Sequence, residues 1–372
     1  MFGVKSDSMS TRGLAAVFHE VGRPLELRTS DLPELDTGEA LVKITCATVC
    51  GSDVHTMRGA RPVGGPTVLG HEIVGCIAAL PDTGPDVCDV NGKSLAVGDR
   101  VTWAVGASCG ECRLCRQGIP QKCDALFKYG HETVTRSLFS GGFAEFCHLQ
   151  RGTAIIHVPD TVPDVVACPA SCATATVAAA VRVASGCQAK SVLIQGAGML
   201  GLTAAAMARA QGATEVIVSD VSKSRLQRCV DFGASRTVHV GDDPQRLATV
   251  VDEMTASRGV DVIFEMSGAV AAIEQSPALL GIGGQLVLVG SVFPTRAAQL
   301  SPEMLVRKLI RIEGVHNYTP VDLTMAMDFL STDGNRFPFQ TLVDMEFALP
   351  DINQALGIIF DQTPIRAACR VR

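Results

Sequence analysis

Two short stretches bring together side chains that can do chemistry jointly. One reads Cys50-Gly51-Ser52-Asp53-Val54-His55, and the other reads Gly70-His71-Glu72. Cysteine thiolate and neutral imidazole are the ligand types that hold Zn²⁺ best. Around an ion held by Cys50 and His71 stand a hydroxyl (Ser52), a second imidazole (His55) and two carboxylates (Asp53, Glu72). That set can bind an alcohol oxygen, take its proton and carry the proton to water. One Cys and one His also describe an ordinary core, because buried free cysteines are common. The other motifs of the chain decide between the two.

A second metal pattern follows. Cys109, Cys112, Cys115 and Cys123 have the spacing C-x₂-C-x₂-C-x₇-C. Four thiolates this close wrap one tetrahedral Zn²⁺ and leave no open position, so such a site pins a loop and admits no substrate. An iron–sulfur cluster also takes four cysteines. The dinucleotide motif further along favours zinc.

That motif is Gly196-Ala197-Gly198-Met199-Leu200-Gly201. It follows an apolar strand, 191–195, and opens a helix over 202–211; a second strand, 215–219, ends on Asp220. This is the context the G-x-G-x-x-G fingerprint requires. Gly196 makes the tight turn, Gly198 lets the backbone approach a pyrophosphate, and Gly201 allows close helix–strand packing. Met199 and Leu200 complete the motif ahead of the helix N-terminus, whose N–H groups favour phosphate. Asp220, 19 residues after Gly201, accepts from ribose hydroxyls and repels a 2′-phosphate, so NAD is favoured. Lys223 and Arg225 nearby keep NADP open.

The elements that must position these groups fall into two halves. At 372 residues the chain exceeds one core, so two domains are expected. Strands at 13–17, 40–44, 73–80, 100–105, 141–146 and 154–159 make the first half β-rich, with Cys50 to Glu72 on a loop and short helix between two of them. The segment 168–184 is rich in small residues at helical spacing. Beyond it, strands at 191–195, 215–219, 260–265 and 285–290 alternate with helices, including 270–280 and 302–309. That alternation implies a doubly wound parallel sheet. An amphipathic helix over 351–360 and a strand over 367–371 close the chain.

Composition narrows the partners. A net charge of −6 and 5% aromatics argue against nucleic acid. No run of about 20 apolar residues suggests a membrane span. Residues 1–12 lack an apolar signal core and read as a flexible lead. The chain is therefore expected in the cytoplasm, where fourteen cysteines are ligands and core fillers rather than disulfides.

Taken together, the Cys50–His55 and Gly70–Glu72 motifs, the four-cysteine loop, Gly196–Gly201 and Asp220 resemble the zinc-dependent medium-chain alcohol dehydrogenases over nearly the whole chain. The resemblance implies a GroES-like β-barrel catalytic domain over 1–173 and 315–372, with a Rossmann NAD-binding domain over 174–314. It implies two zinc ions per chain, one catalytic and one structural, and NAD as cofactor. It gives Cys50, His71 and Cys172 as catalytic ligands. Glu72 is the alternative third ligand, as in polyol-type branches, or an exchanging fourth. It makes Asp53 the carboxylate that orients His71, Ser52 and His55 a proton relay, and Arg366 a contact to the cofactor pyrophosphate. A small alcohol or carbonyl substrate and a homodimer or homotetramer are implied as well.

A narrower likeness joins Lys128-Tyr129-Gly130-His131-Glu132, Cys172–Val177 and Gly314–Tyr318 to a subgroup proposed to act in phosphonate catabolism. Arg58, Arg61, Lys128, His131, Arg136, His316 and Asn317 could then receive an anionic alcohol. Competing readings are a polyol or threonine-type dehydrogenase, a zinc-free quinone or enoyl reductase, and a non-catalytic binding protein. Zinc content separates the last two from the first.

Overall fold

The computed structural model describes residues 11–134, 137–243, 245–362 and 364–371. Most of the expected flexible lead lies outside this range, as does Arg136. The chain forms two compact units. One holds the described residues up to Val158 and from Val343 onward; the other is Pro159–Leu342.

The first unit begins with β1 (Arg12–Phe18), β2 (Glu26–Asp31) and β3 (Ala40–Thr48), then α1 (Gly51–Met57). There follow β4 (Thr67–Val68), β5 (Glu72–Ala79), β6 (Arg100–Ala107), α2 (Arg113–Arg116), β7 (Phe127–Lys128), β8 (Phe146–Leu149) and β9 (Thr153–His157). Strands β2-β1-β4 make a small antiparallel sheet. Val42, Ile44, Ile73, Ile77, Val101 and Trp103 share one core under the larger sheet. Segment 141–146, expected as a strand, is mostly a loop: Gly142 and Phe143 donate to the Gly70 and Leu69 carbonyls, and the regular strand starts at Phe146. A Cβ on Gly141 would collide with the Val68 carbonyl, so the closeness of these two runs depends on glycine.

The second unit begins with α3 (Asp164–Ala167) and α4 (Ala173–Val183). Next come β10 (Ser191–Gln195), α5 (Met199–Ala210), β11 (Glu215–Asp220), α6 (Lys223–Cys229), β12 (Arg236–His239) and α7 (Gln245–Thr255). It is completed by β13 (Val260–Glu265), α8 (Val270–Leu279), β14 (Leu280–Leu288), α9 (Pro302–Lys308), β15 (Arg311–Gly314) and α10 (Pro320–Ser331). The strand order β12-β11-β10-β13-β14-β15 is parallel throughout. Helices cover a parallel sheet, so its central strands are apolar on both faces. Leu193, Ile217 and Ile263 are fully buried in its core, each contributing about 1.5–3 kcal/mol of burial.

The chain then returns to the first unit through β16 (Val343–Ala348), α11 (Ile352–Gln362) and β17 (Arg366–Arg370). Helix α11 buries Ile352, Ala355, Leu356 and Ile359 on one stripe. The larger sheet runs β16-β17-β3-β5-β6-β7, with β8 on β3 and β9 on β6. The packing division, at 158/159 and 342/343, differs from the boundaries expected at 173/174 and 314/315. Helix α10 explains much of this: Asp322 receives both Nε and Nη2 of Arg182 on α4, at 2.6 and 3.0 Å. Among the described residues no single helix is long and apolar enough to cross a membrane.

Candidate active site

Strand β3 runs straight into the first cluster. Val49 donates to the Ala367 carbonyl of β17, and Cys50 then opens α1. Asp53 sits at the third helical position, and its Oδ2 accepts from the Cys50 N–H at 2.9 Å. Its other oxygen accepts from Gly70 N at 3.2 Å and lies 3.3 Å from His71 Nδ1. One buried carboxylate thus ties the helix start to the Gly70-His71 turn and fixes the imidazole. The Nε2 edge of His71 is left toward Ser52, whose Oγ lies 3.4 Å away.

Ligand atoms of Cys50, His71 and Glu72 all lie within 4.8 Å of one another. Burial disfavours a charged His71, but the Asp53 carboxylate and the Cys50 thiolate outweigh it and hold the ring up at about 10. The donors gathered here are thiolate, imidazole and carboxylate. This set fits Zn²⁺.

Glu72 has a support of its own. In the sheet order β17-β3-β5, Thr48 stands opposite both Glu72 and Ala368. Thr48 Oγ1 donates to Glu72 Oε2 at 2.6 Å, and Arg366 reaches both carboxylate oxygens at 2.8 Å. Arg366 also donates to Cys50 Sγ at 3.7 Å. The expected cofactor arginine is therefore seen braced against the first cluster. His55 lies three residues after Ser52 on α1 and is exposed to water. Cys172 belongs to the other unit, where it immediately precedes α4 and is half-buried.

The four-cysteine loop gathers as its spacing implies. All four sulfurs lie within 4.8 Å of one another, with Cys109–Cys123 at 3.4 Å, Cys112–Cys123 at 3.9 Å and Cys109–Cys115 at 4.0 Å. A tetrahedral ZnS₄ centre has edges of about 3.8 Å, from Zn–S bonds of about 2.3 Å. Backbone N–H groups favour two of the thiolates: those of Asp124 and Cys115 pull Cys112 down to about 6, and those of Glu111 and Cys112 lower Cys109, while burial pushes Cys115 up to about 12. The loop fits a structural zinc.

In the second unit, Gly196 has φ +107°, and a Cβ on Gly201 would fall into the Gly196 carbonyl. Gly198 faces open space and caps α5 with no side chain, so the first N–H groups of that helix stay available to phosphate. Helix α5 starts at Met199, which is buried; Leu200 is half-buried. Asp220 ends β11 with Oδ2 accepting from Ala197 N at 2.6 Å and Oδ1 from Ser222 N at 2.7 Å. Lys223 is paired with Asp242 at 2.9 Å. These residues fit a dinucleotide.

Comparison with known proteins agrees with this geometry. Residues 36–160 match the alcohol dehydrogenase GroES-like domain, and residues 200–332 match the zinc-binding dehydrogenase domain. A 5-exo-hydroxycamphor dehydrogenase of Pseudomonas putida is 30% identical over 355 residues, covering 93% of this chain and 95% of that protein. The chain belongs to the zinc-dependent medium-chain alcohol dehydrogenase family. An L-threonine 3-dehydrogenase of Aeromonas hydrophila is 29% identical over 350 residues, covering 92% and 94% of the two chains. The crystal structure of an alcohol dehydrogenase from Thermotoga maritima superposes with a TM-score of 0.91 at 27% identity, covering 98% of this chain and 100% of that one.

The dehydrogenase carries out a zinc-type oxidation or reduction of an alcohol–carbonyl pair on a small molecule. Two of its site features escape a linear reading. Thr48 becomes visible only through its register against Glu72. Gly130, with φ +74°, would place a Cβ 2.6 Å from the Gly70 carbonyl and 3.2 Å from His71 Cβ, so the 129–131 turn presses directly on the ligand turn. Among the basic residues expected near substrate, Arg58 instead donates to the Phe360 carbonyl at 2.8 Å and lies over the Phe360 ring. Arg61 and His131 meet each other at 2.6 Å. His316 and Asn317 lie in the second unit.

Proposed function

We propose that this dehydrogenase interconverts a small alcohol and its aldehyde or ketone, with NAD as electron carrier and zinc held by Cys50, His71 and Cys172. The observation that carries the reading is the Cys50–His71–Asp53 arrangement, with two metal-type donors oriented by one buried carboxylate. Zinc bound there supplies Lewis acidity that makes a hydroxyl proton labile near neutral pH. Asp53 lies against Nδ1 of His71, so Nε2 is the ring atom that would ligate. Ser52 accepts the substrate proton, and His55, on the same face of α1 and open to water, carries it away. The nicotinamide ring supplies the two-electron acceptor. Asp220 and the Lys223–Asp242 pair favour NAD over NADP.

Cys172 is assigned through the likeness of Cys172–Val177 to the cysteine-bearing segment of the alcohol dehydrogenase branch. Glu72, braced by Thr48 and Arg366, serves as the exchanging ligand. The substrate class we assign is an anionic hydroxy compound of phosphonate or carboxylate type. The supports are the three segments resembling the phosphonate subgroup and a half-buried arginine beside the ligand turn. A threonine-type dehydrogenase is the second reading, favoured by relatives that carry that name.

Zinc analysis and a panel of neutral and anionic alcohols followed by NADH absorbance test the proposal. About two zinc ions per chain and NAD-dependent turnover are expected. Cys50→Ser should abolish turnover while NADH still binds. A metal-free active enzyme, or a Cys50→Ser variant with unchanged rate, would overturn it.

A further inference from the structure

Arg61 sits in the loop after α1 and is half-buried. Its Nη1 lies 2.6 Å from Nε2 of His131. A guanidinium only donates, so this ring nitrogen accepts. The ring proton of the neutral imidazole is then on Nδ1, which donates to the Tyr129 carbonyl at 2.8 Å. Both nitrogens of a neutral His131 are spent in this way.

The pair stands at the metal-type cluster. The His131 ring lies against the His71 ring, with centroids 5.2 Å apart. Gly130 presses the same turn onto Gly70 and His71. Arg61 feels the charges of Asp53 and Cys50 through space, but Asp53 is bonded to Cys50 N and Gly70 N. Among the described residues no carboxylate pairs with Arg61, and its Nε and Nη2 hold no bond. A half-buried cation to which no carboxylate is bonded is unfavourable unless something else pairs with it. An anionic ligand would supply that charge, and the free Nε–Nη2 edge has the forked geometry that carboxylate and phosphonate oxygens accept.

We propose that Arg61, steadied by His131, selects substrates that carry an oxyanion group on the alcohol. This rests on the dehydrogenase reading above and names the residue that sets its specificity. Arg61 touches substrate; His131 is a positioning residue that spends one guanidinium nitrogen and leaves the fork free.

The test uses zinc-loaded enzyme with NAD. It compares kcat/KM for 2-hydroxyethylphosphonate, 3-hydroxypropionate and neutral 1-propanol in the wild type, Arg61→Ala and Arg61→Lys. At least one anionic alcohol should exceed 1-propanol tenfold or more in the wild type, and that ratio should fall at least tenfold in Arg61→Ala, largely through KM. The stronger arm names the headgroup. Arg61→Lys should recover part of the ratio as a point charge without the fork. His131→Phe should raise KM for the anionic alcohol more than it lowers kcat, and His131→Gln, which keeps an acceptor, should restore part of the loss. Because each ratio is internal to one variant, a general loss of folded enzyme cancels. A ratio unchanged by Arg61→Ala, or a wild type that prefers 1-propanol, overturns the proposal. If no alcohol reduces NAD, the dehydrogenase reading fails instead. Calorimetric binding of ethylphosphonate then still decides on Arg61: at least tenfold weaker binding in Arg61→Ala supports it, and equal binding overturns it.

Discussion

Arg366 grips both carboxylate oxygens of Glu72, with Nε 2.8 Å from Oε2 and Nη2 2.8 Å from Oε1. The partners are 294 residues apart, on strands flanking β3. Both are buried, with Glu72 sealed completely. Burial raises the Glu72 carboxyl, and Arg366 opposes that rise without cancelling it.

Arg366→Ala should therefore cost about 3–5 kcal/mol of stability, because it strands a buried carboxylate. The double variant Glu72→Gln/Arg366→Met should lose less than Arg366→Ala alone. Thermal and urea unfolding measure both. A double variant worse than the single would show that the pair is not held together by charge.

Cys112→Ser should remove one zinc and spare the other, taking metal content from about two ions per chain to about one. The 109–123 loop, no longer tied by its four sulfurs, should become the first site of limited proteolysis. Loss of both ions together would mean that the two sites do not fill independently.

His55→Ala should slow alcohol oxidation about tenfold or more, with the largest deficit at low pH, where solvent base is scarce. A pH–rate profile checks this, and a deficit independent of pH would remove His55 from the relay.

A second cluster in the first unit contributes to acid stability. His157 lies 2.9 Å from Asp89 Oδ2 through Nδ1 and 3.1 Å from Asp99 Oδ2 through Nε2. Burial would raise Asp89, but bonds from His157 and from the Lys93 and Asn91 N–H groups outweigh it and leave it lowered. Asp99 is lowered chiefly by the Ala96 N–H, then by His157. Carboxylates depressed in the folded state stabilise it above their unfolded value, about pH 4, and lose that contribution as pH falls through the folded values. Urea melts should thus be steady from pH 7 to about pH 5 and weaken below about pH 4, and Asp89→Asn should flatten the acid limb.

Asp220→Ser should raise the NADP:NAD ratio of kcat/KM at least about tenfold, by removing the carboxylate that opposes a 2′-phosphate. Adding Asp242→Asn, which frees Lys223 from its pair, should raise it further. Steady-state kinetics with both cofactors measure the effect.

Local motifs were legible in one dimension. The sulfurs at 109, 112, 115 and 123 converge because fifteen residues hold them all, and Gly196–Gly201 needs only its flanking strand and helix. Asp53 next to Cys50 is equally local, since a helix brings the third residue back to its start. Segment 141–146 has an apolar and glycine pattern that suits a strand, while its hydrogen bonds go to an irregular turn at Leu69-Gly70.

What the sequence determined by itself was the set of chemical parts: which residues could ligate, which could hold phosphate, and which half of the chain alternates strand with helix. Tertiary structure decided the pairings that depend on sheet order and on turns meeting across the fold. Thr48 and Arg366 reach Glu72 because β5, β3 and β17 are neighbours, and Arg61 meets His131 because the 129–131 turn packs on Gly70-His71. Periodicity reports which face of an element is apolar. It carries no information about which distant strand lies beside it, so a charge pair spanning most of the chain appears only once the sheet has closed.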